Sequence, residues 1–257
     1  MRKPLILPLA AATASLAAAP AAAQIPETTF KSKARIAPAK VGTPKKPRGI
    51  QLAGKMTFKT VTQGIEEPIV TGGDILIAKG TQWNGGKYRR CSGATMRRAQ
   101  GVQRCPKGSI VGSGFGVAYA DRVDAAPDVV FVNGGKSTLW AFTTLYNPAI
   151  VQEPIQLRIK KRQGKWAYTA SFRVPKVLQI VAGVPITLRS FNYKIGGKFK
   201  LPGARKTTNA SRYAPRLLAT TKCPKSGKYP AQATAHYLYN TGQKGKSTVK
   251  STIRCRR

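Results

Sequence analysis

Acid is what this chain has least of. Its 257 residues carry 8 Asp plus Glu against 45 Lys plus Arg, a formal charge of +37 with the single His neutral. Eight carboxylates, one His and four Cys are a thin stock for acid–base, nucleophilic or metal chemistry. Most catalytic classes are therefore disfavoured before any motif is read. Long apolar runs are also missing beyond the N-terminus, where no stretch approaches the ~20 residues of a membrane-spanning helix. Disorder is disfavoured by what is present. Hydrophobic residues make up 42% of the chain, enough to bury a core in one large or two small domains.

The chain begins Met1-Arg2-Lys3-Pro4, continues with an apolar run from Leu5 to Ala19, and reaches Ala-Pro-Ala-Ala-Ala-Gln at residues 19–24. A positive start, a short apolar stretch and a small-residue cleavage site make a secretory signal peptide, expected over residues 1–23. Pro8 and Pro20 argue against a spanning anchor. Loss of residues 1–23 removes Arg2 and Lys3 and leaves 43 cations against 8 carboxylates, +35. The expected location is outside the cell, secreted or held at the cell surface or wall.

An even number of Cys in an exported chain points to disulfides. Cys91, Cys105, Cys223 and Cys255 allow three pairings. Sequence neighbourhood favours Cys91–Cys105 with Cys223–Cys255. A zinc site fails on spacing, because there is no C-x-x-C and His236 stands alone in a strand-like segment.

Residues 24–47 are polar and basic, hold Pro26, Pro38, Pro44 and Pro47, and show no clean period. They read as a flexible arm. Residues 48–257 then read as a single β-sandwich domain, because alternation with period 2 dominates. Trp166, Tyr168, Ala170, Phe172 and Val174 alternate with Ala167, Thr169, Ser171 and Arg173; Val249, Ser251, Ile253 and Cys255 alternate with Thr248, Lys250, Thr252 and Arg254. Residues 129–132 and 137–146 are apolar on both parities and read as central strands covered on both sides. The parity slips between Leu188 and Phe191, which predicts a β-bulge near Arg189-Ser190. Asn133-Gly134-Gly135-Lys136 and Arg162-Gln163-Gly164-Lys165 read as hairpin connections. The only helical candidate is Ala94–Gln100, inside the first disulfide loop. The fold class is all-β: an antiparallel β-sandwich, jelly-roll-like, or a flattened barrel of about ten strands, with one short helix in a disulfide loop.

Catalytic constellations do not assemble. His236 is the only base for a Ser–His–Asp arrangement, and it reads as a half-exposed strand residue. Glu66-Glu67 precede Pro68 in a loop, and Asp121, Asp124 and Asp128 suit turns better than a calcium loop. Gly112-Ser113-Gly114-Phe115-Gly116 lacks the Lys-Ser/Thr ending of a phosphate loop and reads as a turn or a glycine-bearing strand. No catalytic residue, metal ligand or cofactor follows from the sequence.

The charge itself predicts partners: anionic envelope polymers, anionic lipid head groups, and nucleic acid bound without sequence specificity. Candidate contacts are the adjacent cations Arg89-Arg90, Arg97-Arg98 and Lys160-Lys161-Arg162. Trp83, Tyr88, Trp140, Trp166 and Tyr213 interleave with cations, although most have core-facing parity.

The segment CSGATMRRAQGVQRCPKGSIVGSGFG at residues 91–116, the run RSFNYKIGG at 189–197, Thr220-Thr221-Lys222-Cys223-Pro224 and the late Cys255 resemble a group of exported, uncharacterised proteins of high-GC Gram-positive (actinobacterial) bacteria. The resemblance spans residues 40–257. It implies a β-rich exported domain with two local disulfides and carries no activity or ligand. The expected function is a non-catalytic, disulfide-stapled module held near the cell surface or wall by its basic surface. The alternatives are a polyanion or nucleic-acid binder with a defined groove, and a hydrolase with an unrecognised site.

Overall fold

Alternating residues send alternate side chains to opposite faces of a strand, and among the described residues eleven strands of one sheet follow one another across the molecule. The computed structural model describes residues 27–61 and 67–257; the expected signal peptide and Glu66 lie outside them. The strands are β1 (Thr28–Ala37), β2 (Gln51–Thr60), β3 (Ile69–Ala78), β4 (Ile110–Ala120), β5 (Asp128–Gly135) and β6 (Thr138–Leu145). They continue with β7 (Val151–Lys161), β8 (Trp166–Arg173), β9 (Val184–Ile195), β10 (Lys228–Leu238) and β11 (Lys244–Arg254). All belong to one antiparallel sheet in the order β1-β2-β9-β4-β5-β6-β7-β8-β3-β10-β11.

The sheet curls until its ends meet, a nearly closed, flattened barrel. Ten antiparallel neighbours in a row leave the first and eleventh strands running the same way, so closure must be parallel. It is: Lys40 and Arg256 form a parallel bridge, with Val41 N–H donating to the Arg256 carbonyl at 2.9 Å and Arg256 N–H to that of Ala39 at 2.8 Å.

The barrel interior is the core. Val111, Val129, Phe131, Leu139, Ile159 and Ile195 form its largest buried cluster, joined by Ala214 and Leu217, which close one end together with Trp83 and Tyr88 from the 81–90 stretch. At the other end the single-turn helix α2 (Lys176–Gln179) sets Leu178 beside Leu145 and Ile186. On β4, Gly114 faces inward because a ring occupies the space: a Cβ there would lie 2.7 Å from the Phe191 ring.

Several expectations meet the structure directly. The helix of the first disulfide loop is α1 (Gly93–Ala99), capped by Ser92, whose Oγ accepts from Thr95 N–H at 3.0 Å. It covers the outer face of β5 and β6, where Val132, Phe142, Met96 and the cystine are buried together; this is why those strands are apolar on both faces. The register of β9 against β4 shifts between Leu188 and Ser190, the site of the parity slip. Cys91 pairs with Cys105 and Cys223 with Cys255, leaving no free thiol among the described residues. Both disulfides fit an oxidising, extracytoplasmic compartment.

The flexible arm is the correction. Within residues 24–47, Thr28–Ala37 is β1, paired with β2 along its whole length. Phe30, Ser32, Ala34 and Ile36 face inward while Lys31, Lys33 and Arg35 face water, a period-2 pattern muted by two small side chains. Phe30 stacks on Phe58 with ring centroids 5.0 Å apart, so the β domain begins at Thr28 and not at residue 48.

Candidate anion-binding face

Packing apolar residues inward obliges the other parity to face outward, and in this composition the other parity is largely lysine. Across β1–β2–β9–β4 the outward residues form rows. Lys33 stands opposite Lys55, Lys55 opposite Asn192, and Asn192 opposite Phe115. In the next row Arg35 faces Ala53, Ala53 faces Lys194, and Lys194 faces Ser113. A hairpin of Lys198–Lys200 and Thr207–Asn209 adds Lys198 and Lys200 at the end. Small residues at the centre and long cations at the sides produce an open groove of about 770 Å³, floored by Ala53, Gly54, Ser113 and Gly114. Phe115 stands at its edge, 58% exposed. Farther along the same strands a second recess of about 700 Å³ continues past Lys31, Lys59 and Arg189.

Among the described residues, none of Lys33, Arg35, Lys55, Lys194, Lys198 and Lys200 has a carboxylate within ion-pair distance. The acids are placed elsewhere. Glu153 binds Arg97 at 2.6 Å, and this hydrogen bond holds the Arg97 guanidinium above its ordinary value. Asp124 Oδ1 accepts the Ala126 N–H at 2.9 Å and Asp128 accepts the Tyr146 hydroxyl at 3.2 Å, turn and tethering duties. Asp74 accepts the Ser171 hydroxyl at 2.5 Å and lies 3.5 Å from His236 Nε2. In this Ser–Asp–His trio the serine hydroxyl is bonded to the aspartate and not to the histidine, an order unlike that of a nucleophile beside its base. It lies on the outer face of β8, β3 and β10.

Comparison of the chain with family models, with curated proteins and with solved structures finds no match. The site is therefore read from its own geometry.

The structure does not bring the sequence's candidate contacts together. Arg89 and Arg90 lie in the loop before α1, Arg98 on the exposed side of α1, and Lys160, Lys161 and Arg162 at the β7–β8 turn. Arg97 is occupied by Glu153, and Arg162 donates to the Thr169 hydroxyl at 2.7 Å. Arg90 shares a separate recess of about 490 Å³ with Arg104, Ser92, Thr95 and Trp140. The groove cations Lys33, Arg35, Lys55 and Lys194 were not singled out by sequence reading. On a strand, adjacent cations point to opposite faces, so cations that share one face of a strand are spaced by two in the sequence. Lys31, Lys33 and Arg35 are such a set.

Proposed function

We propose that this protein is a non-catalytic, exported module of the cell surface whose β1–β2–β9–β4 face holds an anionic polymer. The observation that carries the reading is Lys33 directly opposite Lys55, in a groove lined by no carboxylate among the described residues. Like charges placed directly across a ladder destabilise a sheet. A surface that accumulates them at neighbouring positions is arranged for a ligand that neutralises several at once. Anionic wall polymers have the repeating charge to do so, and binding would follow the release of their condensed counter-ions. Phe115 at the rim offers a stacking plane to a single-stranded nucleic acid, which makes DNA the natural competitor in a test.

The test is a salt titration of binding to cell-wall fragments and to DNA. Binding is expected to weaken linearly in log K against log salt. The double variant Lys55→Gln/Lys194→Gln is expected to flatten that slope by roughly 1.4–1.8, since each phosphate contact contributes about 0.7–0.9. Absence of binding to either polymer at low salt, or an unchanged slope in the variant, would remove the groove from the function.

A further inference from the structure

The two strands that close the barrel leave a slit. Between Thr28–Ala37 of β1 and Lys244–Arg254 of β11 there is no ladder among the described residues; the strands run side by side and are fastened at their ends. At one end Ser247 Oγ donates to the Thr28 carbonyl at 3.0 Å, and Thr28 Oγ1 pairs with the Tyr239 hydroxyl at 2.8 Å. At the other, the backbone bonds of Val41 and Arg256 close the seam.

Behind the slit the core is incompletely filled. Several inward residues of β1, β10 and β11 are small (Ser32, Ala34, Ala231, Ala233, Ser251), and with Ile36, Tyr229 and Ile253 they border a cavity of about 90 Å³ also lined by Met56, Ile75, Ile77, Trp83 and Tyr193. Ser32, Ala34, Ile75, Ile77 and Ser251 keep partial exposure although they point inward, so solvent-sized molecules reach them. A single water needs roughly 10–15 Å³ of such space and occupies about 30 Å³ of liquid, so the cavity has room for a few waters or a short alkyl chain. Its walls offer few hydrogen bonds and suit the chain better than the water. The outward residues on both sides of the slit include cations: Lys31, Lys33 and Arg35 on β1, and Lys246, Lys250 and Arg254 on β11.

We propose that the barrel binds a free single-chain anionic amphiphile of the fatty-acid class, its alkyl chain entering through the β1–β11 seam and its carboxylate remaining among the lysines and arginines outside. The inside supplies apolar burial and the rim supplies charge of the opposite sign. Neither half alone specifies this ligand. A purely apolar molecule has no use for the rim, and a polyanion has no use for the interior. The interior of this site is separate from the proposed polymer groove outside β1–β2–β9–β4, and its rim shares Lys33 and Arg35 with that groove.

The experiment titrates the purified protein with decanoate and with decanol, read by calorimetry and by the intrinsic fluorescence of Trp83. Decanoate is expected to bind one per chain and at least tenfold more tightly than decanol. Ser251→Leu and Ala231→Phe, each checked by circular dichroism for an intact fold, fill the cavity and are expected to weaken decanoate at least tenfold. Lys246→Glu/Lys250→Glu is expected to weaken decanoate severalfold and to leave decanol unchanged. Equal affinity for decanoate and decanol would overturn the charged rim. Full decanoate affinity in a folded Ser251→Leu variant would overturn the cavity. Binding to anionic phospholipid vesicles that decanoate fails to displace would mean a membrane surface is the partner and would overturn the free amphiphile.

Discussion

Gly54 on β2 lies between β1 and β9, with no room for a side chain. A methyl group there would stand 2.7 Å from the Lys33 carbonyl oxygen and 2.5 Å from the Tyr193 hydroxyl. The carbonyl belongs to the β1–β2 ladder and cannot move without it. Gly54→Ala is therefore expected to destabilise the fold by about 1–3 kcal/mol, the usual cost of overpacking, in a urea titration; wild-type stability in the variant would show that β1 yields freely. Buried phenols set a second limit. Burial pushes Tyr193, Tyr229 and Tyr237 up from 10.0 to about 12. In the unfolded chain they ionise near 10, so their contribution is complete below pH 10 and is lost as pH rises toward 12. Stability should fall across that window, because the unfolded chain releases protons there that the folded chain still holds. Tyr237→Phe should make the fall shallower, and an identical slope in that variant would exclude Tyr237 as a contributor.

At the scale of elements, the disulfides divide the labour. Cys91–Cys105 spans 14 residues and pins α1, whose seven residues are too few to persist alone. Cys223–Cys255 spans 32 residues and fixes the end of β11 beside buried Ala78 and Tyr229. The chain-entropy relation gives roughly 3 kcal/mol for the shorter loop and about 4 kcal/mol for the longer. Replacing Cys223 and Cys255 by Ala should cost more than replacing Cys91 and Cys105, whereas only the second change should release the α1 amides to hydrogen exchange. The reverse order of stabilities would contradict the loop-length account. Elements of this kind were largely legible in the sequence. Alternation in β8, β10 and β11, the phase slip of β9 and the hairpin turns are local patterns with local causes. β1 was missed because Ser32 and Ala34 mute its apolar parity, and because prolines on either side give the whole segment the look of a tether. The groove was not legible, since Lys33 meets Lys55 and Arg35 approaches Lys194 only through a register that joins residues far apart in the chain.

For the whole molecule, the odd strand number governs the behaviour of the seam. An even-stranded antiparallel barrel can close on an ordinary ladder, but eleven strands bring two parallel edges together, and among the described residues they are fastened near Thr28 and near Arg256. Unpaired edges are points of weakness and of access. Each residue of β1 turns its backbone groups either to β2, where they are paired, or to the slit, where they meet no partner strand. Amide hydrogen exchange on β1 is therefore expected to alternate, one amide protected and the next exchanging near the rate of an open chain, between Phe30 and Ile36. β2, with a neighbour on each side, should be protected throughout. Uniform protection along β1 would mean that the ladder is closed in solution and that nothing enters between β1 and β11. Slowing of the fast set on addition of decanoate would place the ligand at the slit, because filling the barrel behind it removes the water that exchange requires.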